Sequence, residues 1–446
     1  MKRLGWSSLV MSLSCALVVE PQPGAGIGAS CEASSECQAA ECLDGLCTVR
    51  CFESAGCPGG TLCANEVCQL PLSALVVVPY DTAQDEVGQA VDRGVVQAAE
   101  QLGYVEPELV SKLELPSATY EEVEQRLDQQ FFDLVIVGSP ALSPGSLETA
   151  KANPGTTFVA MQLDPANAAG NLVSFDARSY QAYFLAGVAA GRLTNSGRLG
   201  FVGSTPTPPF IASVNAFALG AQAGRGAPIT LELRWMMGPH DMGLKVDGKS
   251  KERRDTEEMV AAGADVIAHN VDNNIPVFTV RDLNEAGASV LAVASHKPEA
   301  CGIVAAGDCV GAVVTNWTPL FSRIIDLVHR GEPPSGSLLE PMRTSNAESV
   351  VRFDLGTGLA GGSSLAAELE SLRAELASDS GVGRVFDGPI QSTGQCESAS
   401  GLPSCVEAGT RLSDEGLASI CWLVAGIIDE TGAPAMVPES ASCPAP

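Results

Sequence analysis

The chain is poor in cations, poor in histidine and, beyond Val19, without any long apolar run. Lys and Arg together number 26 against 53 Asp and Glu, a formal net charge of −27. A surface of that sign repels phosphate backbones and anionic lipid, so nucleic acid is excluded as an expected partner. A small ligand is not excluded, because a cleft can differ from the average surface. No later segment has the roughly 18 uninterrupted apolar residues that a membrane helix needs. The four histidines, His240, His269, His296 and His329, lack the HExxH spacing of a zinc site, and no GxSxG elbow is present. Nothing local supports hydrolysis. Neither a metal nor an organic cofactor is expected, and the chain is not read as an enzyme.

What is present begins with MKRLGWSSLVMSLSCALVVEPQPGAG: a basic start, an apolar run and a Pro/Gly stretch, the order of an export signal. Residues 1–30 are read as signal and linker. Cys15 follows Leu13-Ser14 and partly fits a lipid-attachment site; plain cleavage nearer Ala29 fits as well. The cysteines agree with export. Setting Cys15 aside leaves 14 of the 15 in three even groups. The first is Cys31, Cys37, Cys42, Cys47, Cys51, Cys57, Cys63 and Cys68; the second is Cys301 and Cys309; the third is Cys396, Cys405, Cys421 and Cys443. Even groups are what disulfides in an oxidising compartment require. The expected location is the periplasm or cell envelope, with membrane contact only through the signal or a lipid.

Residues 31–70 form an internal repeat, CEASSECQAAECLDGLC followed by CFESAGCPGGTLCANEVC. So little apolar content cannot build a core, so disulfides at ~2–4 kcal/mol each must hold this module. Zinc binding is the sharper reading of such spacing, but it fits an exported chain poorly. A small envelope spacer or adhesion module is the plainer one.

After Leu72 strands and helices alternate. SALVVVPY, FDLVIVGS, TTFVAMQLD, RLGFVGS, ITLELRWMM, ADVIAHNV, SVLAVAS and GAVVTNW read as strands, with helices such as DEVGQAVDRGVVQAAEQLG between most of them. This α/β pattern gives parallel sheets with crossover helices, and it is too long for one sheet, so two lobes are expected. The ligand crevice of such sheets lies beyond the carboxyl ends of the strands. The boundaries expected are 71–428 for the two-lobed domain, with lobe 1 at about 71–178 and 297–330 and lobe 2 at about 179–296 and 331–395. Residues 429–446 are a disulfide-tied tail. Proximity suggests Cys301 with Cys309, Cys396 with Cys405 and Cys421 with Cys443.

Two Gly-rich motifs match nucleotide patterns. GLKVDGKS, Gly243 to Ser250, fits the phosphate loop, but the preceding strand ends too early and Asp247 would set a carboxylate beside the anion. GTGLAGG, Gly356 to Gly362, fits a dinucleotide fingerprint but sits near the end of the α/β region. A polar surface loop and a turn between elements account for them.

FDARSYQAYFLAGVAAGRLTNSGRLGFVGS resembles the segment that marks receptors of the basic-membrane-protein family, substrate-binding lipoproteins of ABC importers, several of which bind purine nucleosides. GADVIAHNVDN, VVTNWTPLFSRIIDLVHRGE, VFDGPI and AGTRLSDEGLASICWLVAG resemble further segments of that family in the same order, over about residues 74–428. The resemblance implies a two-lobed type I periplasmic-binding fold, two Rossmann-like parallel sheets, here preceded by the disulfide-rich module. It implies a monomer that binds a small molecule, in this family a purine nucleoside, and hands it to an ABC permease. An envelope sensor or surface interaction module built on the same fold is the alternative, and a nucleoside-processing enzyme a further one.

The resemblance also points to site residues. Where nucleoside-binding members carry Asp-x-x-aromatic-Asn, this chain has PYDTAQDEVG, offering Tyr80, Asp81 and Asp85. Where the family has an Asp for ribose hydroxyls, this chain has Ala294, Ser295 and His296. Losing that acceptor removes selectivity for a sugar diol. Trp235 and Met236 fall near the family's second aromatic and can stack on a flat ligand or pack in a core. Asn270, Asp272 and Trp317, with Gly138, Ser139 and Asp176 at first-lobe strand ends, complete the candidates. The small residues Ala186, Gly187, Ala189, Ala190 and Gly191 are read as letting a helix lie close on a sheet.

Overall fold

Apolar runs such as Leu134–Val137 and Thr157–Met161 make the central strands of this protein and are buried on both faces. The computed structural model describes residues 34, 41–43, 46–51, 57, 62–64, 67–69, 72–79, 86–102, 110–115, 120–164, 167–168, 170–237, 245–359, 362–378, 383–393 and 404–438. The chain divides into two compact units, Met1–Pro71 and Leu72–Pro446.

In the first unit, β1 (Glu41–Leu43), β2 (Leu46–Arg50), β3 (Leu62–Ala64) and β4 (Val67–Gln69) pair antiparallel in the order β1-β2-β4-β3. Cys47 and Cys68 are fully buried, and Cys57 is bonded to Cys68. Cys47 and Cys51 are also disulfide-bonded. The Cys51, Cys57 and Cys68 sulfurs lie within 4.8 Å of one another. All three are oxidised, so they are not thiolate ligands for zinc. Cys15, Cys31, Cys37, Cys396 and Cys443 lie outside the described residues.

The second unit opens with β5 (Ala74–Pro79), α1 (Glu86–Gln101), β6 (Val110–Leu115), α2 (Glu121–Gln129), β7 (Leu134–Val137), α3 (Ser146–Ala152), β8 (Thr157–Met161) and β9 (Leu172–Ala177). In α1 the buried residues Val91, Val95, Ala98 and Ala99 recur at helical spacing and form the stripe that faces the lobe. The chain then crosses to α4 (Ser179–Leu193), β10 (Arg198–Gly203), α5 (Pro208–Arg225), β11 (Thr230–Trp235), β12 (Lys245–Val246), β13 (Lys249–Ser250), α6 (Lys251–Ala261), β14 (Val266–His269), α7 (Ile275–Glu285), β15 (Leu291–His296) and β16 (Cys309–Thr315). It returns through α8 (Thr318–His329) and β17 (Ser337–Glu340). It crosses a third time to β18 (Val351–Leu355), α9 (Gly362–Ser378), β19 (Ile390–Gln391), β20 (Ser404–Val406), α10 (Asp414–Ala418) and β21 (Ile427–Ile428).

Two sheets result. The first has the order β17-β9-β8-β7-β5-β6 and is parallel throughout. The second has the order β18-β16-β15-β14-β10-β11-β21, parallel except for β18. This is the two-lobed type I periplasmic-binding architecture. The lobe boundaries differ from those expected. Residues 309–315 pair with β15 and belong to the second lobe, and 337–340 pair with β9 and belong to the first. The returning segment is therefore 318–340 rather than 297–330. Two adjacent apolar strands carry no mark of which sheet they join.

The small-residue face of α4 meets α5 as well as a sheet. A methyl on Gly187 would lie 2.2 Å from the Phe217 carbonyl oxygen, and one on Gly191 2.2 Å from that of Ala221. The contact is reciprocal: a methyl on Gly220 would meet the Phe184 carbonyl at 2.1 Å, and one on Gly224 that of Val188 at 2.2 Å. Backbone lies on backbone, a spacing only glycine permits. Asp265 fastens the turn that follows α4, accepting from Thr194 Oγ1 (2.6 Å) and from the amides of Asn195 and Ser196 (2.8 Å each). Burial alone would raise the Asp265 pKa, but these donors outweigh it and leave the carboxyl below its ordinary range.

The segment preceding the tail, residues 404–428, is built into the second lobe. Asn215 of α5 donates to the Trp422 carbonyl (2.8 Å) and accepts from the Val424 amide (2.9 Å), which sets β21 beside β11. Asp414, at the start of α10, pairs at 2.7 Å with Arg178 on the first crossing. Cys301 and Cys309 are bonded to each other, and Cys405 and Cys421 are each disulfide-bonded.

The nucleotide patterns fall to topology. Residues 245–250 form a hairpin with Asp247 and Gly248 at positive φ, and Lys249 Nζ is held by Glu257 at 2.5 Å. The lysine of the pattern is thus spent on a carboxylate. The strand before GTGLAGG runs antiparallel to its neighbour β16, so no parallel βαβ unit surrounds the glycines.

Candidate ligand cleft

The carboxyl ends of the second-lobe strands β14 and β15 meet the first lobe at the start of α1. Glu86 is the junction. Its amide donates to the Asp272 carbonyl at 2.9 Å. Its Oε1 takes Lys297 Nζ at 2.5 Å and lies 3.5 Å from Asn274 Nδ2. One residue of the first lobe is thus bound at three points, one through its amide and two through its carboxylate, to the loop after β14 and the residue after β15.

Among the described residues, Glu86 Oε2, Asn274 Oδ1, Asn270 Nδ2 and both ring nitrogens of His269 are buried without a hydrogen-bonding partner, and so is Trp235 Nε1 at the end of β11. Buried polar groups are ordinarily paired, so this set at strand ends offers donors and acceptors to a polar ligand. Asn270 is already half committed, since its Oδ1 accepts the Ser204 amide at 2.7 Å and fixes the amide orientation. His269 is fully buried, and burial, helped by the charge of nearby His296, pushes its pKa down to about 3. The Val271 carbonyl and the Asn274 side chain act weakly the other way without reaching hydrogen-bonding geometry. The ring is therefore a neutral imidazole, able to donate once and accept once.

The anticipated residues that fall among the described ones can be placed. Tyr80, Asp81 and Asp85 lie outside the described residues. Gly138 directly follows β7, its amide bonded to the Val77 carbonyl at 2.8 Å; a methyl there would strike Val91 at 2.9 Å. Ser139 starts the turn into α3, its carbonyl taking Ser143 Oγ at 2.9 Å and its Oγ the Ala141 amide at 3.3 Å. Asp176 sits near the end of β9 against the Ala177 amide (2.7 Å) and Gln162 Nε2 (3.3 Å). Burial raises its pKa to about 6 despite those two donors. Trp235 ends β11 with its ring over Gly203, where a methyl would meet it at 2.6 Å. Asp272 contributes the carbonyl held by Glu86. His296 has a φ of 73°, and its Nε2 lies 2.8 Å from the Val271 carbonyl.

Three anticipations are corrected. Met236 is fully buried among Val202, Met259 and Ile267, so it packs the second-lobe core and does not face a ligand. Ser295 is closed off, its hydroxyl donating to the His269 carbonyl at 2.7 Å and sharing a hydrogen bond with Tyr183 OH at 3.0 Å. Trp317 is 4% exposed, with its ring edge-on to Phe175 at 5.0 Å and beside Phe321, inside the first lobe. Each stands beside a strand end, where alternation decides between cleft and core. The sequence reading also missed Glu86, Asn274 and Lys297. Glu86 is the acid next after Asp85, and Lys297 the only cation near the end of β15; that adjacency was the available signal.

Fold and site together define a two-lobed binding protein whose strand ends converge on a polar junction. A family model for Bmp, the PnrA-like ABC transporter substrate-binding proteins, matches residues 73–340, and the chain belongs to this family. A purine-binding protein of Brucella abortus (strain 2308) is 24% identical over 262 residues, 59% of this chain and 66% of the relative. A putative ABC transporter glucose-binding protein of Haloferax volcanii is 25% identical over 257 residues, 56% of this chain and 58% of the relative. The chain thus spans less than two thirds of the length of these curated relatives. Among solved structures, an ABC transporter solute-binding protein from Aeropyrum pernix K1 superimposes with a TM-score of 0.55 at 15% identity, covering 69% of this chain and 92% of its own. One from Conexibacter woesei gives 0.51 at 16% identity, covering 69% and 96%. At these identities the structural likeness concerns the fold.

Proposed function

We propose that the chain is an exported solute-binding receptor that captures a small polar molecule between its lobes and delivers it to an ABC permease without transforming it. The observation that carries this reading is the Glu86 junction, where the first lobe grips the second beside buried, unpartnered donors and acceptors. A solute that contacts both lobes gains its extra interactions only when they are closed, and so it shifts the lobes toward closure. Residues 1–30 are the export signal in this reading, with Cys15 the lipid-attachment candidate. Among the described residues no helix is long and apolar enough to cross a membrane.

For the ligand we infer a flat, nucleoside-like molecule. The indole N–H of Trp235, the Asn270 amide and the neutral His269 ring offer the donors and acceptors that a heterocycle edge takes up. One curated relative is named as purine-binding, which supports the same class. Against a strong grip on the ribose diol stands the occupied Ser295 hydroxyl. Native mass spectrometry of the purified protein, followed by calorimetry against purine nucleosides, free purine bases and hexoses, tests this. The expected result is binding of bases and nucleosides at similar strength. Binding of a hexose alone removes the nucleoside assignment and leaves a receptor. Binding of no small molecule, with no co-purified solute, removes the receptor reading.

A further inference from the structure

The two carboxylate oxygens of Glu86 are in different circumstances. Oε1 takes Lys297 Nζ at 2.5 Å and lies 3.5 Å from Asn274 Nδ2. Oε2 is buried and meets no donor among the described residues. An ionised carboxylate oxygen can only accept, and burying one without a donor is costly.

The contacts made by Oε1 also aim Oε2. The Glu86 amide is bonded to the Asp272 carbonyl at 2.9 Å, which pins its backbone to the second lobe. Lys297 comes from a braced loop. Its amide donates to the Ser295 carbonyl at 3.0 Å, its carbonyl takes the Ala300 amide at 3.2 Å, and the Cys301–Cys309 disulfide closes the segment beyond it. Asn274 is 5% exposed, and its carbonyl takes the Phe278 amide at 3.0 Å where α7 starts. An ammonium only donates, so Lys297 requires an oxygen at the Oε1 position. Oε2 is left at the boundary between the lobes as an acceptor whose direction is set from the second lobe.

We propose that Glu86 is a specificity-determining residue of the cleft: its Oε2 accepts one ring N–H of the solute, so the preferred ligands are lactam heterocycles such as 6-oxopurine nucleosides. This rests on the cleft being a solute site and narrows the class of solute. An N–H on a carboxylate makes a charge-assisted hydrogen bond. A heterocycle with a bare ring nitrogen at that point sets a lone pair against the carboxylate and is actively rejected. Because Oε1 is already taken, no two-point grip is on offer, and a 2-amino group beside the N–H adds little.

Calorimetry on the full chain with its disulfides intact tests this, with inosine, guanosine, 1-methylinosine and purine riboside as probes. Inosine and guanosine carry the N–H. In 1-methylinosine a methyl replaces that hydrogen, and purine riboside has a bare nitrogen there with no added bulk. The expected result is that inosine and guanosine bind within about threefold of each other, and the other two at least about tenfold more weakly. In Glu86→Gln, Lys297 holds the amide oxygen and turns the NH₂ to where Oε2 stood. The affinity of purine riboside relative to inosine should then rise about tenfold or more, in a variant whose thermal melt shows it folded. Either analogue binding the unmodified protein as tightly as inosine overturns the assignment, and this arm needs no variant. So does a Glu86→Gln protein that loses inosine and purine riboside equally. Both outcomes leave a nucleoside receptor standing. Binding by none of the four removes the nucleoside ligand together with this assignment.

Discussion

Glu86 in the first turn of α1 and Lys297 just after β15 belong to different lobes and meet at 2.5 Å. The pair is partly screened, the lysine 32% and the glutamate 13% exposed, so about 1 kcal/mol is a reasonable contribution. Lys297→Ala should therefore lower the closed-to-open ratio of the solute-free protein about fivefold. Solution scattering reads this as a larger radius of gyration. A curve superimposable on that of the unmodified protein would show that the pair has no part in closure.

Backbone contact between α4 and α5 makes a second expectation. Gly187→Ala forces a methyl to 2.2 Å from the Phe217 carbonyl and should cost ~1–3 kcal/mol by overpacking. Gly302→Ala is the control, since a methyl there meets nothing within 4 Å. Thermal melts in which both variants lose equally little would show that the helices part without penalty.

The Asp176 carboxyl is raised to about 6 from an ordinary 3.8, chiefly by burial. A carboxyl shifted upward contributes most below its unfolded value, and that contribution is lost as pH rises through its folded one. Asp176→Asn should thus melt higher than the unmodified protein at pH 8, with the gap closing between about pH 6 and pH 4. A gap independent of pH would mean that the carboxyl titrates normally.

His269 has the opposite sign. Its folded value of about 3 lies below the ordinary 6.5, again chiefly through burial. The stabilisation is complete above 6.5 and drains away as pH falls toward 3, because the unfolded ring takes a proton that the folded one refuses. His269→Gln should melt with a shallower acid dependence between pH 6.5 and 4 than the unmodified protein. Equal slopes would place the imidazole in contact with water.

Much of this architecture can be read from the chain, and for a physical reason. Strands such as Leu134–Val137 and Thr157–Met161 are buried on both faces, so they appear as uniform apolar runs bounded by helices, the mark of a parallel sheet. The length of the alternating pattern, too great for one sheet, gave two lobes, and the family segments agreed. What the runs do not carry is sheet membership, which put Cys309–Thr315 in the wrong lobe until its pairing with β15 was seen. Site residues were harder. Trp317 and Ser295 have the right chemistry at the right strand ends, yet the side to which a residue turns depends on neighbours far away in sequence: Phe175 for one, Tyr183 for the other. Glu86 was overlooked because its importance comes from Asp272 and Lys297, some two hundred positions downstream, and no local pattern announces such a partner.

The chain passes between the lobes three times, and this has a consequence for how it is made. The second lobe begins at Ser179, before the first has received its edge strand Ser337–Glu340, and its own last strand, Ile427–Ile428, lies near the carboxyl end. Neither half can be finished as it leaves the ribosome. Each half-built sheet therefore keeps an open edge until late in translation.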